Sequence, residues 1–134
     1  MSKYLIAYAG AGCVFLLLDA VWLIYITKNF YKNEIGQLLL ENPKFFIAGV
    51  FYVVFIFGIV FFAVIPANQD GSVVNALLCG IFLGLLCYGT YELTNYATLK
   101  DWSLRVVIVD ILWGGFVTGA SALGGYYSLK LFFK

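Results

Sequence analysis

Three carboxylates stand in apolar surroundings: Asp19, Glu92 and Asp110. Each is followed three residues later by a hydrogen-bond donor, Trp22, Asn95 and Trp113 respectively. A separation of three keeps such a pair on one face of an α-helix, about 60° apart. Carboxylates beside indole rings suit an ammonium group, whose attraction to a ring face adds about 0.5–2 kcal/mol. A carboxyl in an apolar setting also suits proton carriage or general acid–base work. Three carboxyls with the Asn95 amide are the oxygen donors a hard cation prefers.

Other chemistries are excluded or disfavoured. The chain has no histidine, which removes the commonest general base and soft-metal ligand. Cys13, Cys79 and Cys87 form no CxxC pair and read as small packing residues. A net charge of +1 supplies no basic patch for nucleic acid. Neither a cofactor nor a resident metal is expected, and an enzyme is the weaker expectation because no obvious nucleophile accompanies the acids.

The elements that must position these residues follow from composition. Of 134 residues, 63% are hydrophobic and 11% charged, against about 25% charged in a soluble domain. Four apolar stretches, residues 4–27, 45–65, 73–99 and 104–129, are each long enough to cross a hydrocarbon core of about 30 Å as a helix. The expected fold is an all-α membrane protein: one domain over residues 1–134, four transmembrane helices in a bundle. The first stretch has a basic residue, Lys3, ahead of it, as a signal peptide would. It runs too long for one and is read as a retained span.

Between the first two spans, Tyr31, Ile35, Leu38 and Leu39 recur at helical spacing opposite Lys32, Asn33, Gln37 and Glu41. That pattern predicts a short amphipathic helix lying in the interface plane. The second and third spans are joined by a turn over residues 66–72. Lys28, Lys32, Lys44, Lys100 and Arg105 flank one face; Lys3, Lys130 and Lys134 flank the other. Five against three favours both termini outside, although Lys3 beside the first span argues the other way.

Measured along the helices from the charged residues of the loop-rich face, the three acids share one depth. Asp19 lies nine residues from Lys28, Glu92 eight from Lys100, and Asp110 nine from Asp101, each about 12–14 Å. Acids in a membrane interior cost about 2.5–3.5 kcal/mol each unless turned toward partners or water. They are expected to converge inside the bundle, where mutual repulsion keeps at least one carboxyl protonated unless a cation joins them. Tyr88 and Arg105 are further candidate partners, with Arg105 pairing across helices to Asp19 or Glu92. Gly80-x-x-x-Gly84, Gly115-x-x-x-Gly119, Ala120-x-x-x-Gly124 and the run Ala9 to Gly12 supply small faces for close helix approach, within the chain or in a homo-oligomer.

The segments LDAVWL, YGTYELTNYATLKDW, and Arg105 followed by VDILWG, in that order, resemble the bacterial membrane proteins grouped as domain-of-unknown-function family 2177. The resemblance covers essentially the whole chain. It departs at Glu92, commonly Asp in that family, and at Asp101, often Gly. It implies a small inner-membrane protein of four helices and brings no established activity.

The resulting expectation is a site in which Asp19, Glu92 and Asp110 form an anionic wall and Trp22 and Trp113 aromatic walls. Tyr88, Asn95 and Arg105 complete it, around a small cationic or lipid-like ligand that is bound or transported. Two alternatives stay open: an accessory subunit whose acids fix helix packing, and an enzyme acting on lipid with Glu92 as acid or base.

Overall fold

The computed structural model describes residues 1–133; Lys134, counted above among the charges near the termini, lies outside the described residues. The fold is all-helical, with four helices long and apolar enough to cross a membrane: α1 (Ser2–Leu38), α2 (Phe45–Asp70), α3 (Val73–Thr98) and α4 (Leu104–Phe132).

Helix α4 is central. Half of its most apolar stretch is buried, against 22–33% in the other three, because glycines let its neighbours approach on two sides. A Cβ on Gly84 would stand 2.1 Å from the Gly114 carbonyl oxygen, and one on Gly80 would stand 2.8 Å from Ala122 Cβ. On the other flank, a Cβ on Gly124 would fall 2.9 Å from the Gly10 carbonyl. The predicted small faces are thus used within the chain, and α4 packs antiparallel to both α1 and α3. Outward-facing Phe46, Leu78, Phe82, Leu112 and Phe116 are exposed along the bundle, as a lipid-facing surface requires.

Helix α2 is the loosest. It joins the core through Ile59, Val60, Ala63 and Val64, while Phe45 and Phe46 near its start are largely exposed. Gly49 and Gly58 face open space. The predicted turn at residues 66–72 is shorter than expected, because α2 continues through Pro66 to Asp70. A π-helical turn over Val60–Val64 directly precedes the proline, and its wider winding eases the clash of the ring with the preceding turn. Gly71, at φ 68°, then ends the helix, and Ser72 Oγ caps α3 by accepting from Asn75 N–H at 3.2 Å.

The segment predicted as a separate interfacial helix instead continues α1 at its start, as far as Ile35. Residues Leu23–Tyr31 wind as a π-helix and pass directly into Lys32–Ile35. No proline or glycine interrupts this run before Gly36, and the helix holds until Ile35, whose φ of −135° and ψ of 21° turn the chain into the short 3-10 segment Gly36–Leu38. Of the expected apolar stripe, Ile35 is buried, whereas Leu38 and Leu39 are nearly half exposed. Between α3 and α4 the chain turns through Asp101 at φ 59°, a left-handed conformation that favours glycine and that Asp tolerates.

Candidate functional site

The two Asp-x-x-Trp elements meet face to face. Helices α1 and α4 run antiparallel, and Trp22 stacks on Trp113 with ring centroids 4.2 Å apart and planes 10° off parallel. The stack gives one aromatic wall in place of the two opposed walls expected, because each ring covers a face of the other. Asp19 and Asp110 flank it, both lining a cavity of about 260 Å³ with Trp22, Trp113, Tyr31, Tyr52 and Tyr88.

Each acid takes a donor from a different element. The Tyr52 hydroxyl of α2 donates to Asp19 Oδ2 at 2.5 Å, and the Tyr31 hydroxyl donates to Asp110 Oδ1. Glu92, almost fully buried, accepts from Trp102 Nε1–H at 2.8 Å. Asp19 and Asp110 thus line one cavity, while Glu92 is engaged by Trp102. Among the described residues no group of three His, Cys, Asp or Glu side chains is placed to hold a metal ion.

The expected wall of three acids is corrected to two, since Glu92 does not line the cavity. The turn at Asp101 sends Trp102 back onto α3, where its indole engages Glu92 and its ring edge meets Tyr91 at 5.9 Å. Asn95 and Arg105 also lie off the cavity. Arg105 is largely exposed and pairs with Glu34 at 3.4 Å, instead of with Asp19 or Glu92. Its start-of-helix position points it outward, and the α1 extension brings Glu34 alongside. Glu34 also accepts from the Ser103 hydroxyl at 2.5 Å, placing a carboxylate at the N-terminus of α4, where the helix dipole favours one.

Sequence reasoning missed Tyr31, Tyr52, Thr27 and Leu23 as lining residues. Helical spacing with Ile35, Leu38 and Leu39 puts Tyr31 on an interfacial stripe, and α-helical winding, at 3.6 residues per turn, sets it about 180° from Trp22. The π winding between them, about 4.4 residues per turn, returns it to within about 20° of Trp22. Its ring then meets Trp22 edge-on at 6.3 Å while its hydroxyl reaches Asp110. A tyrosine nine residues beyond an Asp-x-x-Trp was the available signal, but the winding that makes it useful is not written in the local sequence. Tyr52 reaches Asp19 from a helix with no polar pattern of its own.

Two features bear on what the cavity can hold. Among the described residues, neither Asp19 nor Asp110 has a basic side chain within ion-pair range. The Trp113 Nε1–H is buried in the wall that Trp113 shares with Asp19, so the walls carry a donor as well as acceptors.

No curated protein and no solved structure matches the chain. A family model described as "Predicted membrane protein (DUF2177)" matches residues 4–127. With four spanning-length helices and a match over nearly its whole length, the chain is a membrane protein and belongs to the DUF2177 family.

Proposed function

We propose that the protein binds, and in doing so carries, a small cationic or amphipathic ligand in the cavity between Asp19 and Asp110. It does so as a multi-pass protein of a bacterial inner membrane with both termini on the outer side. The observation that carries this reading is a cavity lined by two carboxyls from separate helices, with no basic side chain pairing either among the described residues. A cation entering there meets carboxylates, tyrosine oxygens and the Trp22–Trp113 stack, a combination suited to an ammonium group.

Tetramethylammonium binding to the purified protein in maltoside micelles, followed by tryptophan fluorescence, tests it. Two of the three tryptophans line the cavity. The Asp19→Asn/Asp110→Asn double variant is expected to lose tenfold or more in affinity, about 1.4 kcal/mol. Equal binding by wild type and double variant, or no binding by either, sinks the reading.

A second reading, helix registration by the acids, is favoured by the donor that each acid receives from another element. It predicts that the double variant loses stability and that no ammonium probe binds. Association between copies through glycine faces has Gly49 and Gly58 on α2 open to it.

A further inference from the structure

The acid-lined cavity is small. Pockets that enclose a whole drug-sized ligand begin at about 300 Å³, and this one is about 260 Å³, enough for a head group and little more. Beside it lies a second, apolar space of about 450 Å³ between α1 and α2, lined by Tyr8, Gly12, Cys13, Leu16, Gly49 and Ile56, among others. Tyr52 belongs to both spaces. Its hydroxyl donates to Asp19, so the tyrosine stands where the acidic chamber meets the groove.

The groove lies between α1 and the first half of α2, which are tied together beside it by Tyr52 to Asp19, by the Tyr8 hydroxyl donating to the Val53 carbonyl at 3.0 Å and by Phe15 against Tyr52 and Phe55. Gly12 and Gly49 contribute no side chain to fill the gap, buried Ile56 forms its floor, and exposed Leu16 and Val53 form its rim. From Tyr8 to Leu16 it follows about 12 Å of helix axis, the length of a medium alkyl chain.

Depth fits as well. Helix α3, at 26 residues, is about 39 Å long and exceeds a hydrocarbon core of about 30 Å by about 9 Å. If the excess is shared between both ends, Glu92, six residues before the helix end at Thr98, lies about 5 Å inside the hydrocarbon boundary. By the same reckoning Asp110, six residues after the start of the 29-residue α4, lies about 2 Å inside that boundary. A lipid of the loop-side leaflet thus needs to sink only by about a head group's depth, and its chain then points toward the bilayer centre along the groove.

We infer that the ligand is a membrane amphiphile with an ammonium head, which sits between Asp19 and Asp110, and a hydrocarbon chain, which lies in the α1–α2 groove, with Tyr52 at the junction. This rests on the head-group reading above and adds a chain site that can fail separately. Charge complementarity selects the head, and the adjacency of the two spaces, which share Tyr52 as a wall, selects an occupant that is polar at one end and apolar along its length.

The test compares tetramethylammonium with butyl-, hexyl- and decyltrimethylammonium in one detergent, so that partitioning into micelles cancels between variants. Wild-type affinity is expected to rise with chain length. Gly49→Leu, at a position where a Cβ meets nothing within 4 Å, is expected to fill the groove and remove at least tenfold of that rise. Its affinity for tetramethylammonium stays that of wild type. A chain-length dependence identical in wild type and Gly49→Leu overturns the groove while leaving the head site standing, whereas loss of the Asp19 and Asp110 dependence overturns the head site itself. Should Gly49→Leu not fold, Cys13, which lines the groove and is exposed, serves instead. In a Cys79→Ala/Cys87→Ala background, decyltrimethylammonium is expected to slow its alkylation by N-ethylmaleimide at least fivefold, and tetramethylammonium to leave the rate unchanged. Equal protection by both, or by neither, overturns the proposal.

Discussion

Helix α4 is held differently along its length. Toward the face that carries the chain termini, it meets α1 and α3 through glycine, with a Cβ at Gly124 falling 2.9 Å from the Gly10 carbonyl and one at Gly119 falling 2.7 Å from Ile81. Toward the loop-rich face, the same helices meet through rings and acids, with Trp22 on Trp113, Tyr31 on Asp110 and Glu34 on Ser103. Glycine contacts bring backbones together and leave no space between them. Large side chains hold the backbones apart, and a cavity remains where the rings do not fill the gap. In a bilayer, where lipid tails are as apolar as leucine, close packing supplies stability and polar contacts supply register. The two regions divide those tasks, and only the second has room for a ligand.

The comparison is broken most severely by placing a side chain where backbones touch. Gly84→Leu must push the Gly114 carbonyl aside, and is expected to destabilise the bundle by more than about 3 kcal/mol, beyond the usual range for overpacking, because backbone cannot yield. Gly58→Leu, facing open space on α2, is its control and is expected to shift stability by less than about 0.5 kcal/mol. Unfolding in mixed micelles, followed by circular dichroism, distinguishes them; equal losses would mean that the glycine contacts are not what holds α4.

The polar region is expected to respond less. Removing one ring of the stack, as in Trp22→Ala, is expected to cost about 2–4 kcal/mol through lost packing. A double-mutant cycle of Tyr31→Phe with Asp110→Asn isolates the hydrogen bond and is expected to give a coupling of about 0.6 kcal/mol, and under about 1.7. A coupling of zero would mean that the π-helical segment is held by its rings alone. Smallest of all is Arg105→Ala: with an exposed arginine paired to Glu34, the loss is expected to be about 0–1 kcal/mol and to vanish in high salt. A larger, salt-independent loss would make the pair part of the polar region's framework.

Much of this arrangement was legible in the residues. The common depth expected of Asp19, Glu92 and Asp110 rests on helix rise alone, and the structure brings Asp19 and Asp110 to one cavity. The glycine faces were legible for the same reason, since spacing of four keeps small residues in one stripe. Arg105 was misplaced because a helical wheel does not report the neighbour that a distant segment provides, here Glu34, 71 residues away. Trp102 was overlooked as Glu92's partner because the turn that folds it back depends on one left-handed residue, Asp101.

By itself the sequence determined that the chain has four segments able to span a membrane and which helix faces come close, because hydropathy and residue size are local properties. Tertiary structure alone decided that Leu23–Tyr31 winds as a π-helix, that Tyr31 and Tyr52 turn in to the two aspartates, and that Glu92 stands behind the cavity and outside its lining. Those outcomes depend on contacts between helices far apart in the chain. A less common winding persists only where such contacts outweigh the α-helical hydrogen bonding that it gives up.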